Sequence, residues 1–325
     1  MKRCAKKRDG MVSIVIPIYN VEQYITACLK SVEAQTYTDY EVILVDDCGT
    51  DNTMAVAEKF ISESKVRDKF RIVRHEQNKG NSAARNTGIA AAKGKYIYQL
   101  DDDDTMTPDC LEKLVTAAEK TDADMVVGNF DIIGDEKDIP RFNTNAEYLS
   151  GEKCFYAYLH DQYQMMVWNK LIRRDLLVKS NLSFIEGLAH EDNAWSFSLA
   201  CILQKMAFVP DVTYHYVVRS GTIHADKNFT KHYNSYRFLL KYYVDEAKKY
   251  GKADDSAFRW WLERQKAMHF KQTMIDGTMS QQKELYAIIR DNLPQGAWNK
   301  QQVHYLLPSW LGIMAYRRWC GRWLM

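Results

Sequence analysis

The chain has 325 residues, 46% of them hydrophobic, and a formal net charge of +2. That length supports one large or two modest domains with a sizeable core, and the near-neutral charge excludes a dedicated nucleic-acid binder. Seven cysteines, at 4, 28, 48, 110, 154, 201 and 320, show no CxxC spacing, which argues for reduced thiols and against a disulfide framework or zinc site.

Residues 1–8 are basic but lack the apolar segment of a signal peptide. The apolar, β-branched run 12–17 reads as a buried strand. Asn20 can cap a helix whose apolar positions Val21, Ile25, Leu29 and Val32 fall at helical spacing. Residues 41–45 read as a second strand, followed by a helix from near Asp51, and 70–73 as a third. The Ala-rich stretch 82–93 predicts a helix stopped by Gly94, and 96–100 a fourth strand. Thr107-Pro108 supplies an N-cap with proline at the first helical position. A strand is expected at 124–127, a loop or short hairpin at 129–150, and mixed elements at 151–220. From about 226 long helical patterns rich in Lys, Tyr, Trp and Phe take over. Strands alternating with helices imply an α/β fold whose mostly parallel sheet is covered on both faces. The domain reading is a catalytic domain over 1–225, divided near 128, and a helical region over 226–325.

The strand at 96–100 ends in four consecutive carboxylates, Asp101-Asp102-Asp103-Asp104. Carboxylates this close repel one another unless a cation sits among them. A hard divalent ion that also takes substrate diphosphate oxygens is the natural occupant. The bland alternative is a solvated acidic loop. Three further segments fall at predicted strand ends, where ligands bind open α/β sheets. They are Pro17-Ile18-Tyr19-Asn20, Val45-Asp46-Asp47-Cys48-Gly49-Thr50-Asp51, and 78–88 with Ala83-Ala84-Arg85-Asn86-Thr87-Gly88. An aromatic such as Tyr19 can stack on a nucleobase, a carboxylate can accept from a base or ribose, and Arg85 can pair with phosphate oxygens. Taken singly, Tyr19 could be a core aromatic, Asp46 and Asp47 turn residues, and Arg85 a surface charge. Jointly the four segments describe a nucleoside-diphosphate site.

With Ser13-Ile14-Val15-Ile16-Pro17-Ile18-Tyr19-Asn20, Val45-Asp46-Asp47, Ala83–Gly88 and Leu100–Asp104 in hand, the chain resembles family 2 of the glycosyltransferases. The likeness covers 12–128 and extends more weakly to about 223. It implies the GT-A (Rossmann-like) fold and a mostly inverting transfer. It implies that the loop after strand one, with Pro17 and Tyr19, binds the nucleotide together with Asp46. Asp101, Asp102 and Asp103 then form the DxD motif, with Asp103 on a Mn²⁺ or Mg²⁺ ion. Two positions depart from the family: Asp102, often Ser or Ala, and Cys48, usually Gly.

A second cluster is Trp168-Asn169-Lys170-Leu171 with Gly187-Leu188-Ala189-His190-Glu191-Asp192. An inverting transfer needs a general base opposite the leaving group, and a carboxylate suits it. The resemblance puts that base in the Glu-Asp pair: Asp192 as base, Glu191 as acceptor or sugar contact. Asp192 could instead simply begin a helix over 193–203. Trp168 walls the sugar pocket or packs in the core, and Asn169 and Lys170 are candidate donor or acceptor contacts. His215 and His224 are further candidate metal ligands, although a lone His is more often structural.

Residues 292–325 contain no Asp or Glu but carry Lys300, Arg317, Arg318 and Arg322 among Trp298, Trp310, Trp319 and Trp323. That pattern over 304–325 suits an interfacial helix on anionic lipid, or a helix packed on the catalytic domain. No apolar run of about eighteen residues occurs, so no membrane span is expected. The reading is a cytoplasmic protein, peripheral on the inner face of the plasma membrane. The leading expectation is a metal-dependent inverting transferase taking a UDP-sugar to a glycan or lipid-linked oligosaccharide hydroxyl in surface-polysaccharide assembly. A sugar-nucleotide pyrophosphorylase would show a Gly-rich phosphate loop where Pro17–Asn20 stands. A non-catalytic carbohydrate-binding or scaffold protein would not need the intact acids, and a calcium module lacks the spaced loop.

Overall fold

Seven consecutive buried residues form the first strand, β1 (Val12–Ile18). A strand covered on both faces has no polar side, so its sequence is a continuous apolar run. The computed structural model describes residues 10–134, 144–218 and 229–292. The chain divides into two units, residues 1–220 and 221–325.

In the first unit β1 leads to α1 (Ile25–Glu33), β2 (Tyr40–Asp46), α2 (Thr53–Glu63), β3 (Phe70–Arg74), α3 (Asn81–Ala91) and β4 (Tyr96–Gln99). There follow β5 (Thr105–Met106), α4 (Cys110–Thr121), β6 (Met125–Ile133), β7 (Tyr148–Ser150), α5 (Glu152–Leu159), β8 (Lys170–Arg173), α6 (Arg174–Ser180), α7 (Glu191–Ile202) and β9 (Lys205–Val217). The strands join one sheet in the order β3-β2-β1-β4-β8-β6-β9-β5, with β7 also on β9.

The α/β fold is as expected, and the first four strands are parallel neighbours. Beyond them the sheet is mixed. β8 runs antiparallel to both β4 and β6, and β9 runs parallel to β6. The reversed β8 has a functional consequence. Its first residues lie beside the carboxyl end of β4, with Leu171 opposite Tyr98. The second sequence cluster is thereby carried to the same edge as the acid run.

Pro17 is tolerated in a buried strand because of where it stands. The Leu100 N–H donates to the Val15 carbonyl, and the Asp47 N–H to the Ile18 carbonyl on the other side. Odd residues of β1 therefore face β4, whose pairing ends at Val15, so the missing N–H of Pro17 breaks no ladder bond. Helix α3 lies very close beneath β1: a Cβ on Gly88 would fall 2.2 Å from Val15 Cγ1.

Three local expectations change. Asn20 does not cap α1, whose N-cap is Tyr24 with no side-chain bond. Instead Asn20 adopts φ +53°, and its Oδ1 accepts from the Thr50 N–H at 2.7 Å, tying the β1 and β2 end loops together. Helix α4 starts at Cys110, after Thr107-Pro108. β6 continues to Ile133 into the expected loop, because β9 supplies a partner as far as Val217.

The second unit contains α8 (Phe229–Lys249), α9 (Ser256–Asp276) and α10 (Met279–Asn292). Tyr236 stacks on His269 and Tyr243 meets Trp261 edge-on at 4.8 Å, so α8 and α9 run antiparallel. Phe270 against Tyr286 joins α9 to α10. Asp255 caps α9 by accepting from the Ala257 and Phe258 N–H groups. Among the described residues no helix is long and apolar enough to cross a membrane. The expected interfacial helix at 304–325, and His224, lie outside the described residues.

Candidate active site

The loops after β1 and β2 enclose a cavity of about 270 Å³ lined by Tyr19, Asp46, Cys48, Gly49, Arg74 and His75 among others. Tyr19 is 45% exposed, so its ring is a pocket surface and not a core filler. Pro17 is buried at the same strand end, and the cavity lining begins one residue later, at Ile18. Asp46 accepts from the Cys48 N–H at 3.1 Å and lies 3.5 Å from Arg74 Nε; Arg74 is held in turn by Glu58. Cys48 sits at φ +59°, in the left-handed region where glycine is least strained. That gives a physical reason for the family's usual glycine here.

Asp47, which neighbours the pocket, is a structural hub. It is buried, and its Oδ1 accepts from His75 Nδ1 at 2.6 Å and from the Lys79 N–H. Its Oδ2 accepts from the Gly80 N–H at 2.8 Å, and His75 Nε2 meets Thr87 Oγ1 at 2.9 Å. One carboxylate thus fixes the loop that delivers α3 to the sheet edge.

Helix α3 carries Arg85, which is 3% exposed. Its guanidinium binds Asp101 Oδ1 at 2.6 Å and lies 3.6 Å from Glu191 Oε1. Burial alone would lower its pKa, but Asp101 and Glu191 outweigh burial and the net direction is upward. The guanidinium bridges two carboxylates, so Arg85 acts as a strut between them. Asn81 Nδ2 also donates to Glu191 at 3.3 Å.

Glu191 and Asp192 open α7 behind His190, which adopts φ +61°. Asp192 does stand at the helix start, accepting from the Asn193 N–H. Burial first, and the adjacent Glu191 second, push its carboxyl up to about 6, with Arg85 opposing. A carboxylate with this proton affinity matches a general base at neutral pH.

The four acids of the run have different environments. Asp101 holds Arg85, and Asp102 accepts from the Tyr19 N–H at 2.9 Å, which couples the run to the pocket loop. Asp104 is fully buried, accepting from Tyr214 Oη at 2.6 Å and the Val217 N–H at 2.7 Å. Burial, then Asp101 and Asp103, push it up to about 9, which favours a protonated Asp104 at neutral pH. Among the described residues no three His, Cys, Asp or Glu side chains converge as a metal cage. The oxygen donors of the run are of the kind that suits a hard divalent ion completed by diphosphate oxygens. His215, on β9 opposite Thr105, has no such cluster around it.

The cluster that leads into β8 is buried. Trp168 is 5% exposed, stacks on Tyr214 at 4.6 Å and meets Phe130 edge-on, so it is core. Asn169, at φ +55°, spends its amide on Tyr98, Thr213 and the Asn129 carbonyl. Lys170 is buried with its ammonium on the Met166 carbonyl. Burial pushes its amine down to about 7, with Asp192 opposing. Sequence reasoning missed Arg74, His75 and Tyr214. The His75–Thr87 spacing carries no recognisable pattern, but Arg74-His75 at the end of a predicted strand is a signal of the kind used for the other segments.

The profile of the family described as Glycosyl transferase family 2 matches residues 13–179. Glycosyltransferase GlyG of Streptococcus pneumoniae is 32% identical over 226 residues, 66% of this chain and 72% of that protein. S. aureus TarS 1–349 in complex with UDP-GlcNAc superposes with a TM-score of 0.73 at 19% identity, over 94% of this chain and 89% of that one. The mannosyltransferase PcManGT from Pyrobaculum calidifontis, in complex with GDP-Man and Mn²⁺, gives 0.52 at 16% identity, over 94% and 86%. The two structures share the fold, and the sequence match over half the chain carries the rest: this chain belongs to glycosyl transferase family 2 and is a glycosyltransferase.

Proposed function

We propose that the enzyme transfers a sugar from a UDP-sugar to a glycan hydroxyl with inversion, assisted by Mn²⁺ or Mg²⁺, in bacterial surface-polysaccharide assembly. The acceptor in this reading is a lipid-linked oligosaccharide presented on the cytoplasmic side. The observation that carries it is the Arg85 bridge, which draws the acid run and the Glu191–Asp192 pair to one end of the sheet. The UDP-GlcNAc held by TarS and the Mn²⁺ held by PcManGT support the donor and metal parts.

In this mechanism Tyr19 packs on the base and Asp46 accepts from it. The Asp192 carboxylate takes the proton of the acceptor hydroxyl as its oxygen attacks the anomeric carbon from the face opposite the diphosphate. Glu191, held by Arg85 and Asn81, orients the sugar or acceptor. A divalent ion held at Asp103 neutralises charge on the leaving diphosphate when bound.

A donor screen over nucleotide sugars with Mn²⁺ or Mg²⁺, reading released nucleotide, tests this directly. Excess chelator should abolish turnover, and Asp103→Asn should do nearly the same with an unchanged melting temperature. Full turnover under chelation would remove the metal from the mechanism. With an α-linked donor, NMR of the product should show a β-linkage; retention would exclude a single displacement. Asp46→Ala should weaken UDP binding by about 1–3 kcal/mol, the range for a hydrogen bond to a charged group. Calorimetry showing wild-type UDP affinity would take Asp46 out of the base pocket.

A further inference from the structure

We propose that the outer face of α9 is a docking surface for an anionic lipid bilayer. The inner face of α9 buries Phe258, Trp261, Leu262, Gln265, Lys266, His269, Phe270 and Thr273. On the opposite side, Trp260, Met268 and Ile275 are 49%, 49% and 56% exposed, and Arg264 and Lys271 are exposed between them. These five fall at steps of four, four, three and four, so they form one line about 22 Å long at 1.5 Å per residue. A water-facing helix surface is normally polar and charged. Of the nine most exposed large apolar side chains among the described residues, three lie on this one line, which is a pattern and not scatter.

The charges on the line choose the occupant. Arg264 and Lys271 are its ionic groups, and the guanidinium of Arg264 sits 5.0 Å over the Trp260 ring. Glu263 turns away onto the buried Lys266 at 2.6 Å, and Asp276 comes only after Ile275. The surface is therefore apolar and cationic. Such a line suits the headgroup boundary of an anionic membrane, where Trp and Ile enter the acyl edge and Arg and Lys meet phosphates. A second copy about a twofold axis would set like cations together. The chain's own residues 293–325 would do the same, since they are basic and contain no Asp or Glu. This inference does not depend on the identity of the sugar donor.

The experiment is co-sedimentation of the full chain with vesicles of phosphatidylglycerol and phosphatidylcholine, or of phosphatidylcholine alone, at low and high salt. The wild type should bind only the anionic vesicles, less strongly at high salt. Trp260→Ser/Met268→Ser/Ile275→Ser should reduce that binding about tenfold or more, and Arg264→Gln/Lys271→Gln should reduce it about tenfold and flatten the salt dependence. Both variants should keep the wild-type melting temperature and donor-hydrolysis rate. Absence of wild-type binding overturns the proposal, as does undiminished binding by the triple variant. So does a dimer that the triple variant dissociates, which makes the face a contact between copies. A marked loss of thermal stability in the triple variant also overturns it, since the chain itself would then cover the line.

Discussion

Asp192→Asn should lower kcat by roughly 10²- to 10⁴-fold, the usual worth of a positioned general base. Donor affinity should change little, because the base pocket and acid run lie on other segments. The expectation rests on the position of Asp192 beside Glu191 and on its raised proton affinity, about 6. The pH dependence has a defined sign. Below about 6 the Asp192 carboxyl keeps its proton and cannot accept another; above it the carboxylate is available. Wild-type kcat should rise through that region and level off toward neutrality, and the residual rate of Asp192→Asn should lose this limb. Glu191→Gln should be milder and act more on acceptor KM. A near-normal kcat for Asp192→Asn, or an unchanged acid limb, would send the search for the base elsewhere in 160–218.

Arg85→Met should damage both stability and rate. Removing a buried guanidinium leaves Asp101 and Glu191 facing each other without their cation. Breaking a buried pair from one side typically costs several kcal/mol. Because both carboxylates keep some solvent contact, about 2–3 kcal/mol is expected here. For a unit of this size that is a fall in Tm on the order of 5–10 °C. Turnover should fall by at least about 10²-fold, since an error of 1 Å in a reacting group can cost that much. Arg85→Lys separates charge from geometry: an ammonium cannot span two carboxylates as a planar fork does. It should recover part of the Tm and little of the rate. A Met variant with wild-type Tm and turnover would show that the strut carries neither load.

The gathering of these segments at one sheet edge was legible because each ends a short apolar strand, and strand ends in a parallel sheet are ligand positions. Asp46, Tyr19 and the acid run all stand there. What the sequence did not expose was partnership across the sheet. Arg85 read as a phosphate arm because nothing in the string 83–88 indicates that Glu191, over a hundred residues away, claims its other end. Trp168, Asn169 and Lys170 read as a pocket because they adjoin polar residues. In the fold they lead into a reversed strand, and the polar atoms of Asn169 and Lys170 are taken up by Tyr98, Thr213 and the Met166 carbonyl. The reversal of β8 was itself invisible, since a four-residue strand looks the same in either direction. Asp104 could not be told from its neighbours by type; only its burial against Tyr214 distinguishes it.

The contact between Gly88 and Val15 has a consequence for how such enzymes can diverge. Even one methyl at 88 would need the space now held by a Val15 methyl. Three residues earlier on the same helix, about 4.5 Å along its axis, Arg85 spans its two carboxylates. Positions 15 and 88 are thus linked: a residue larger than glycine at 88 is tolerated only with one smaller than valine at 15, or α3 lifts and the bridge opens. A change of donor specificity that reaches α3 must therefore reckon with a packing limit at 88 that no pocket residue reveals.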